Sequence, residues 1–239
     1  MDGPSWLAEM DRDGAIEEAA AAVDGSTRRT LLRRAAAIGG GAIGGAALLG
    51  AAAGTAGAAA EPPREARTLS ATGLPASDVA ILNFALTLEY LENAFYYEAE
   101  QSGALRGETL RFAQVVGNHE RSHVLFLEGI LGDSAVARPR FDFKGTTQEQ
   151  GAFQATADVL ENTGVHAYLG QAGRIKTKAV LAGAAAILPV EARHAAWIRD
   201  IRFSGGTDPA STPAPAAFED GFGRQQILDI VASTGFIVG

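Results

Sequence analysis

Apolar residues recur every three or four positions through four long stretches of the chain, which is the spacing of one helix face. The pattern predicts helices over residues 79–101, 108–131, 147–174 and 177–203. A fifth, short helix is predicted near 224–232. No stretch of useful length alternates between apolar and polar residues as a half-buried strand does. The predicted fold class is therefore all-α.

The ends and the interior of these helices carry further signals. Ser77 or Asp78 is expected to cap the first helix, because a side-chain oxygen there can accept from the free amides of the first turn. Pro189 lies inside the fourth helix, where it removes one backbone donor. It either kinks that helix or begins a new one.

The connection between the second and third helices, residues 132–146, is long and has no helical periodicity. About 15 extended residues reach roughly 50 Å, whereas a helix of about 24 residues is roughly 36 Å long. The connection can therefore travel the whole bundle, and the third helix can run parallel to the second. We predict a four-helix bundle with one long crossover connection and a short C-terminal helix.

The N-terminal quarter differs from the rest of the chain. Residues 27–33 (TRRTLLR) resemble a twin-arginine export signal, and a run of small and apolar residues, 35–60, follows. We expect a cleaved signal. The alternatives are a retained membrane anchor, because the run is long enough to span a bilayer, and a soluble low-complexity arm. The acidic start, 1–24, leaves cleavage open.

Four parts of the chain follow from these patterns. They are a twin-arginine-type signal or anchor segment (1–60), a linker (61–76), the four-helix bundle (77–203), and a linker with a short helix (204–239). The signal predicts a protein exported by the twin-arginine route and located in the periplasm, outside the cell or on its surface. Contact with a membrane is expected only through an uncleaved N-terminal segment.

Composition narrows the chemistry. The net charge of -8 argues against nucleic-acid binding, which requires neutralisation of phosphates. The chain contains no cysteine, which excludes thiolate ligands, Fe–S clusters, disulfides and cysteine nucleophiles. Any metal must be held by oxygen and imidazole nitrogen, a ligand set suited to iron, manganese or zinc.

A lone glutamate followed by a Glu-x-x-His pair occurs twice at nearly equal spacing, 31 residues in the first unit and 30 in the second. The residues are Glu89, Glu120 and His123, and then Glu161, Glu191 and His194. Residues three apart share a helix face, so each pair can point a carboxylate and an imidazole into the bundle. Six such ligands on four helices predict a two-metal site. Chance patterning of solvated helix faces is the alternative.

The positions of the ligands along the bundle axis test this arrangement. Side chains on antiparallel neighbours are level when they are equally far from the connecting turn. The midpoint for the first unit falls near Leu105 and that for the second near Thr177, both inside predicted turns. Both hairpins therefore bring their ligands level.

Other residues near these positions have more than one reading. Glu92 shares the face of Glu89 and is an alternate ligand or a hydrogen-bonding neighbour, although only Glu89 reproduces the repeat spacing. Tyr96 and Tyr168 each lie seven residues after a lone glutamate and are either core aromatics or redox-active or hydrogen-bonding partners of the metals. His119 is expected at the surface or at an interface. His166 is a weak ligand candidate.

Residues 86–92 (LTLEYLE) and 190–195 (VEARHA) resemble the ferritin-like superfamily, specifically exported ferritin-like domain proteins related to desiccation-associated proteins. The resemblance covers roughly 77–203. It implies that the six residues of the two units coordinate two iron or manganese ions. The family's activities include ferroxidase, peroxidase, catalase and oxygenase chemistry, and fold alone does not choose among them.

Two functions from different classes are consistent with the sequence. The first is a dimetal oxidoreductase with oxygen or peroxide as its small-molecule substrate, acting in stress protection. The second is a non-catalytic metal-binding or structural helical bundle. Assembly into a homo-oligomer is left open, because the sequence does not report on it.

Overall fold

A computed structural model describes residues 61–204, 206 and 208–238 of the chain. The predicted signal or anchor segment, 1–60, lies outside the described residues. The described residues form six α-helices: α1 (Arg64–Arg67), α2 (Ala76–Ser102), α3 (Gly107–Leu131), α4 (Gln150–Ala172), α5 (Lys178–Phe203) and α6 (Arg224–Thr234). Within the described part of the chain there is no strand, only one isolated bridge between Phe141 and Ile237. The all-α prediction is confirmed.

Helices α2 to α5 form the bundle as two antiparallel hairpins, α2 with α3 and α4 with α5. Helix α2 ends at Gly103, whose φ of 66° is the left-handed conformation that terminates many helices. Helix α4 begins after Glu149, whose carboxylate accepts from the amides of Gly151 and Ala152. These local signals set the helix lengths that keep the two hairpins in register.

The capping prediction for the first helix is wrong. Helix α2 begins at Ala76 after Pro75, and no side chain caps it. The buried carboxylate of Asp78 accepts instead from the amides of Lys176 and Thr177, at 3.1 and 2.8 Å, in the turn before α5. Asp78 therefore joins the two hairpins at one end of the bundle, a long-range role that local sequence does not encode.

The crossover travels the length of α2, as predicted. Near its start, the Asn83 amide donates to the Ser134 carbonyl at 2.9 Å. Near its end, the Thr147 hydroxyl donates to the Glu98 carboxylate at 2.6 Å. Asn83 and Glu98 lie at opposite ends of α2, so α4 starts at the end of the bundle where α3 also starts. Helices α3 and α4 are therefore parallel.

The hydrophobic core consists of two clusters that flank the middle of the bundle. One cluster is rich in aromatic rings, including Phe95, Phe112 and Phe153, and lies towards the α2–α3 turn. The other is mainly aliphatic, including Leu82 and Ile187, and lies towards the α4–α5 turn. Polar residues from all four helices occupy the middle of the bundle, between the two clusters.

Helix α5 continues through Pro189, so the alternative in which a new helix begins there is wrong. By length and composition alone, α5 is the one described helix that could cross a membrane, a test that core helices of soluble proteins also pass. Its inward face contributes the buried Glu191 and His194 to the middle of the bundle.

The C-terminal segment packs on the bundle. Helix α6 buries Ile227 and Val231 and contacts α4. The backbone of Asp142 in the crossover donates to the Phe236 carbonyl at 2.9 Å. The imidazole of His166 stacks on Phe222 with ring centroids 4.1 Å apart. The predicted C-terminal helix is therefore present, and the C-terminal segment contacts both the crossover and α4.

Candidate metal centre

The six residues of the repeated unit lie together in the middle of the bundle, one on α2, two on α3, one on α4 and two on α5. The four glutamates of this set have no exposed surface, and His194 is 3% exposed. Carboxylates are rarely buried without partners, because water no longer solvates their charge. Their burial requires cations or protons in the same place.

The donor atoms fall into two groups of four, each within 4.8 Å of one another. The first group is Glu89, Glu120, His123 and Glu191, and the second is Glu120, Glu161, Glu191 and His194. Glu120 and Glu191 belong to both groups. A carboxylate has two oxygens and can bridge two ions, whereas an imidazole nitrogen serves one. The arrangement is therefore that of two adjacent cation sites that share two carboxylates.

The spacing around His123 fits a shared cation better than hydrogen bonds. Its Nδ1 lies 3.2 Å from oxygens of Glu89 and Glu120 and 3.1 Å from one of Glu191. One N–H cannot donate well to three acceptors. Ligand atoms held about 2.1 Å from one ion lie about 3 Å apart as octahedral neighbours, which matches these contacts.

The second group repeats this spacing. Nδ1 of His194 lies 3.1 Å from oxygens of Glu120 and Glu161. Among the described residues, Glu120 Oε1 and both oxygens of Glu191 are buried without a hydrogen-bond partner. Orphaned acceptors on the two shared carboxylates are what a pair of cations would satisfy. The donor set and its unsatisfied atoms thus fit two metal ions.

The two tyrosines connect the halves of the repeat. The Tyr96 hydroxyl donates to Glu161, and the Tyr168 hydroxyl donates to Glu89. Each tyrosine therefore orients the lone glutamate of the other hairpin. Burial raises the pKa of both hydroxyls well above the usual value, and the neighbouring carboxylates add to this, so both remain protonated donors.

His119 is the residue that sequence reasoning placed wrongly. It is partly buried, its ring stacks on that of His194, and its Nδ1 lies 2.8 Å from Nε2 of His194. This contact fixes the ring of His194 through the nitrogen that faces away from the carboxylates. The signal was available, because His119 is four residues before His123 and so shares its helix face. His166, in contrast, lies outside the cluster against Asp220 and Phe222.

Glu92 adds a fifth buried carboxyl to the cluster and is 3% exposed. By the repeat spacing, its counterpart in the second unit is Gly164. A Cβ at Gly164 would lie 2.9 Å from Glu191 Oε2 and 3.4 Å from Glu92 Oε1. The glycine therefore gives Glu92 and Glu191 the space to lie side by side. The two groups of four candidate ligands contain Glu89 and not Glu92, which agrees with the preference for Glu89.

The carboxyl groups and the imidazoles of the cluster shift one another's pKa values. Burial is the main cause that raises the pKa of Glu89, to about 7, and it raises the pKa values of Glu161 and Glu191 as well. Burial acts in the same direction on Glu120, but His123 and His194 outweigh it and lower the pKa of that carboxyl. Without cations, protons must occupy several of these carboxyls.

The histidines respond in the opposite sense to burial. Burial alone would lower their pKa values, but Glu89 and Glu120 raise the pKa of His123 well above its usual range, and Glu161 and Glu120 do the same for His194. In the metal-free protein both rings are therefore held as imidazolium ions. Metal ions would replace these protons, because an imidazole ligand must be neutral.

Comparison with known proteins agrees with the fold. A family model described as the ferritin-like domain matches residues 77–204, which is more than half of the chain. The match contains all six residues of the repeated unit. No curated protein matches the chain.

Replacing Gly164 with alanine is expected to weaken metal binding on the order of tenfold, because the added methyl group displaces the Glu191 carboxylate. Metal titration of the purified variant measures this. Gly129→Ala is the matched control, since nothing lies within 4 Å of its Cβ position. That variant should keep its metal affinity and gain about 0.5–1 kcal/mol in free energy of unfolding. Equal affinities for the two variants would contradict the packing described for Glu191.

The thermal stability of metal-free protein is expected to fall as the pH rises from about 5 to 8. Glu89, Glu161, Glu191 and both histidines have raised pKa values, so the folded state binds more protons than the unfolded state. Stability from such groups is complete at low pH and is lost as the pH passes the folded-state pKa, which for Glu89 is about 7. Glu120 and His119 have the opposite sign, because their pKa values are lowered. The effect of Glu120 lies below its ordinary pKa of 4.5, and that of His119 lies below its ordinary pKa of 6.5, so His119 opposes the trend only in the lower part of the range.

Melting curves of chelator-treated protein across this range test the expectation. Addition of manganese should restore the lost stability most at the high end, where protons no longer neutralise the carboxyls. A melting temperature that rises with pH in the absence of metal would show that the cluster is not held together by protons.

Proposed function

Because the chain belongs to the ferritin-like domain family, we propose that its bundle holds two iron or manganese ions and uses them to reduce dioxygen or peroxide. The observation that carries this proposal is the pair of overlapping ligand groups that share Glu120 and Glu191. In each group, one lone glutamate and one histidine complete the set. Glu89 and His123 would hold one ion, and Glu161 and His194 the other.

When bound in the divalent state, two such ions would supply two electrons, one from each ion as it becomes trivalent. With two protons, these electrons convert dioxygen to hydrogen peroxide, or hydrogen peroxide to two waters. The protein contributes orientation. The two tyrosine hydroxyls hold the lone glutamates, and His119 holds the ring of His194. These contacts keep the ligands in place while the charge of the centre changes.

Protection against oxidants outside the cytoplasm is the role we propose for this chemistry. The support is the twin-arginine-like motif at 27–33, because that route carries proteins already folded around a buried cofactor. A relation to exported, desiccation-associated ferritin-like proteins belongs to the same proposal.

A non-catalytic metal-binding bundle is the second candidate. It is favoured by the hydrogen bonds from the Tyr96 and Tyr168 hydroxyls to Glu161 and Glu89, since they hold these glutamates in place without any reaction. The two candidates differ in what happens after metal is bound.

Metal loading followed by exposure to oxidant separates them. The full chain, loaded anaerobically with ferrous iron, should bind about two ions per chain. His123→Ala and His194→Ala should each lower this number, whereas His166→Ala, a histidine outside the cluster, should not. Consumption of dioxygen or peroxide by the loaded protein supports the oxidoreductase. Metal binding without consumption of oxidant supports the non-catalytic metal-binding bundle. Absence of metal binding contradicts both candidates.

The export proposal has its own test. Replacing Arg28 and Arg29 with lysine in the full chain should leave the protein in the cytoplasm when cells are fractionated, because the twin-arginine route reads the arginine pair. The same change at Arg34, just outside the motif, is the control and should leave export intact. Export of both variants would show that residues 27–33 do not direct the protein.

A further inference from the structure

A cavity of about 20 Å³ lies inside one end of the bundle, between the start of α2 and α5 and the end of α3 and α4. Its lining is apolar apart from Tyr168 and Gln171. Ile81 and Phe126 are partly exposed, whereas Leu127 and Tyr168 are buried, so the lining runs from the end of the bundle towards its middle.

The cavity reaches to within one helical turn of the carboxylate and histidine cluster. On three helices a lining residue stands four positions from a member of the cluster: the pairs are Ala85–Glu89, Leu127–His123 and Ile187–Glu191. Four residues of helix span about 6 Å. Tyr168 contacts both, because it lines the cavity and its hydroxyl donates to Glu89. An occupant of the cavity would therefore lie next to the Glu89 and His123 half of the cluster.

The polarity of the lining restricts the occupant. Gln171 is 6% exposed, and its Nε2 has no hydrogen-bond partner among the described residues. A buried water needs two to four polar partners, and a site for one needs about 10–15 Å³. The cavity is large enough for a molecule of that size, but its lining is apolar apart from Tyr168 and Gln171 and does not supply those partners. It suits a small apolar molecule better than it suits water.

We propose that this cavity is a binding site for dioxygen beside the metal centre, an inference that rests on the proposed function. Dioxygen is small and apolar, so it can occupy such a lining without the hydrogen bonds that a water molecule needs. Hydrogen peroxide has two donors and two acceptors, which a lining of this kind leaves unsatisfied. The site thus selects dioxygen over peroxide at this end of the bundle.

Xenon binding to the metal-free protein tests the cavity without any reaction, because xenon occupies dry apolar cavities of proteins. Xenon-129 NMR of the full chain should show a saturable shift. Ala85→Val places two extra carbons in the cavity and should abolish that shift. Ala94→Val, the same change nine residues further along α2 and away from the cavity, is the matched control and should keep it.

Circular dichroism of both variants verifies folding. Should Ala85→Val fail to fold, Val180→Ile adds one carbon to the same lining and should reduce the shift. Absence of a saturable shift in the unaltered protein would overturn the proposal, and so would an undiminished shift in a folded variant with a filled cavity.

Oxidation of the ferrous-loaded protein then identifies the natural occupant. Filling the cavity should slow oxidation by dioxygen several-fold and leave oxidation by hydrogen peroxide unchanged, while Ala94→Val changes neither rate. Equal slowing of both oxidants, or of neither, would overturn the assignment to dioxygen. If the chain binds no metal, the proposed function fails, and the xenon result alone decides whether the cavity takes small apolar molecules.

Discussion

Five buried carboxyl groups at one level of a helical bundle are the constraint on which the structure depends: Glu89, Glu92, Glu120, Glu161 and Glu191. Ionised carboxylates are too costly to bury unless positive charge lies beside them. Without metal, the available positive charge is that of His123 and His194, and the remaining carboxyls must hold protons. Two divalent ions would supply the missing charge and let the carboxylates ionise together. The fold would thus accommodate these residues as protonated acids in the metal-free protein, and metal ions would stabilise them as ionised ligands.

The two repeated units are alike in their ligands and differ in what surrounds them. Glu92 in the first unit corresponds to Gly164 in the second, and His119 corresponds to Val190. The first difference adds the carboxyl group of Glu92 to one half, and the absent side chain of Gly164 in the other half leaves the space that this carboxyl group needs. The second gives His194 a hydrogen-bond partner on its outer nitrogen. The ligand set is therefore nearly two-fold symmetric, whereas the environments of its two halves are not. Such differences can give two ions unequal affinities and potentials even when their ligands match.

Much of this arrangement can be predicted from the sequence, because it depends on helical periodicity and on distance from a turn. These two quantities are sufficient to place the side chains of Glu89 and His123 at one level. Where the relation is between helices, the prediction was wrong for Asp78 and left the partners of Tyr96 and Tyr168 open. The bond from Asp78 to the turn before α5 and the crossing of Tyr96 and Tyr168 between hairpins depend on how the helices are rotated against each other. The cavity depends on side-chain volumes from all four helices. Neither rotation nor packing volume is set by the spacing of residues within one helix.

The two ends of the bundle differ in how they are filled, and this difference bears on access to the centre. At the aromatic end Phe95 stacks on Phe153 with centroids 5.1 Å apart, and further rings pack edge to face around them. Rigid rings in such contact fill space efficiently and leave little room for a guest. At the aliphatic end, branched side chains and Ala85 leave the cavity beside Tyr168. Residues that are equally hydrophobic by composition therefore fill one end of the bundle closely and leave a cavity at the other. If dioxygen occupies this cavity as proposed, it would approach the ligands from the end that carries the α4–α5 turn, because that is where the packing leaves space.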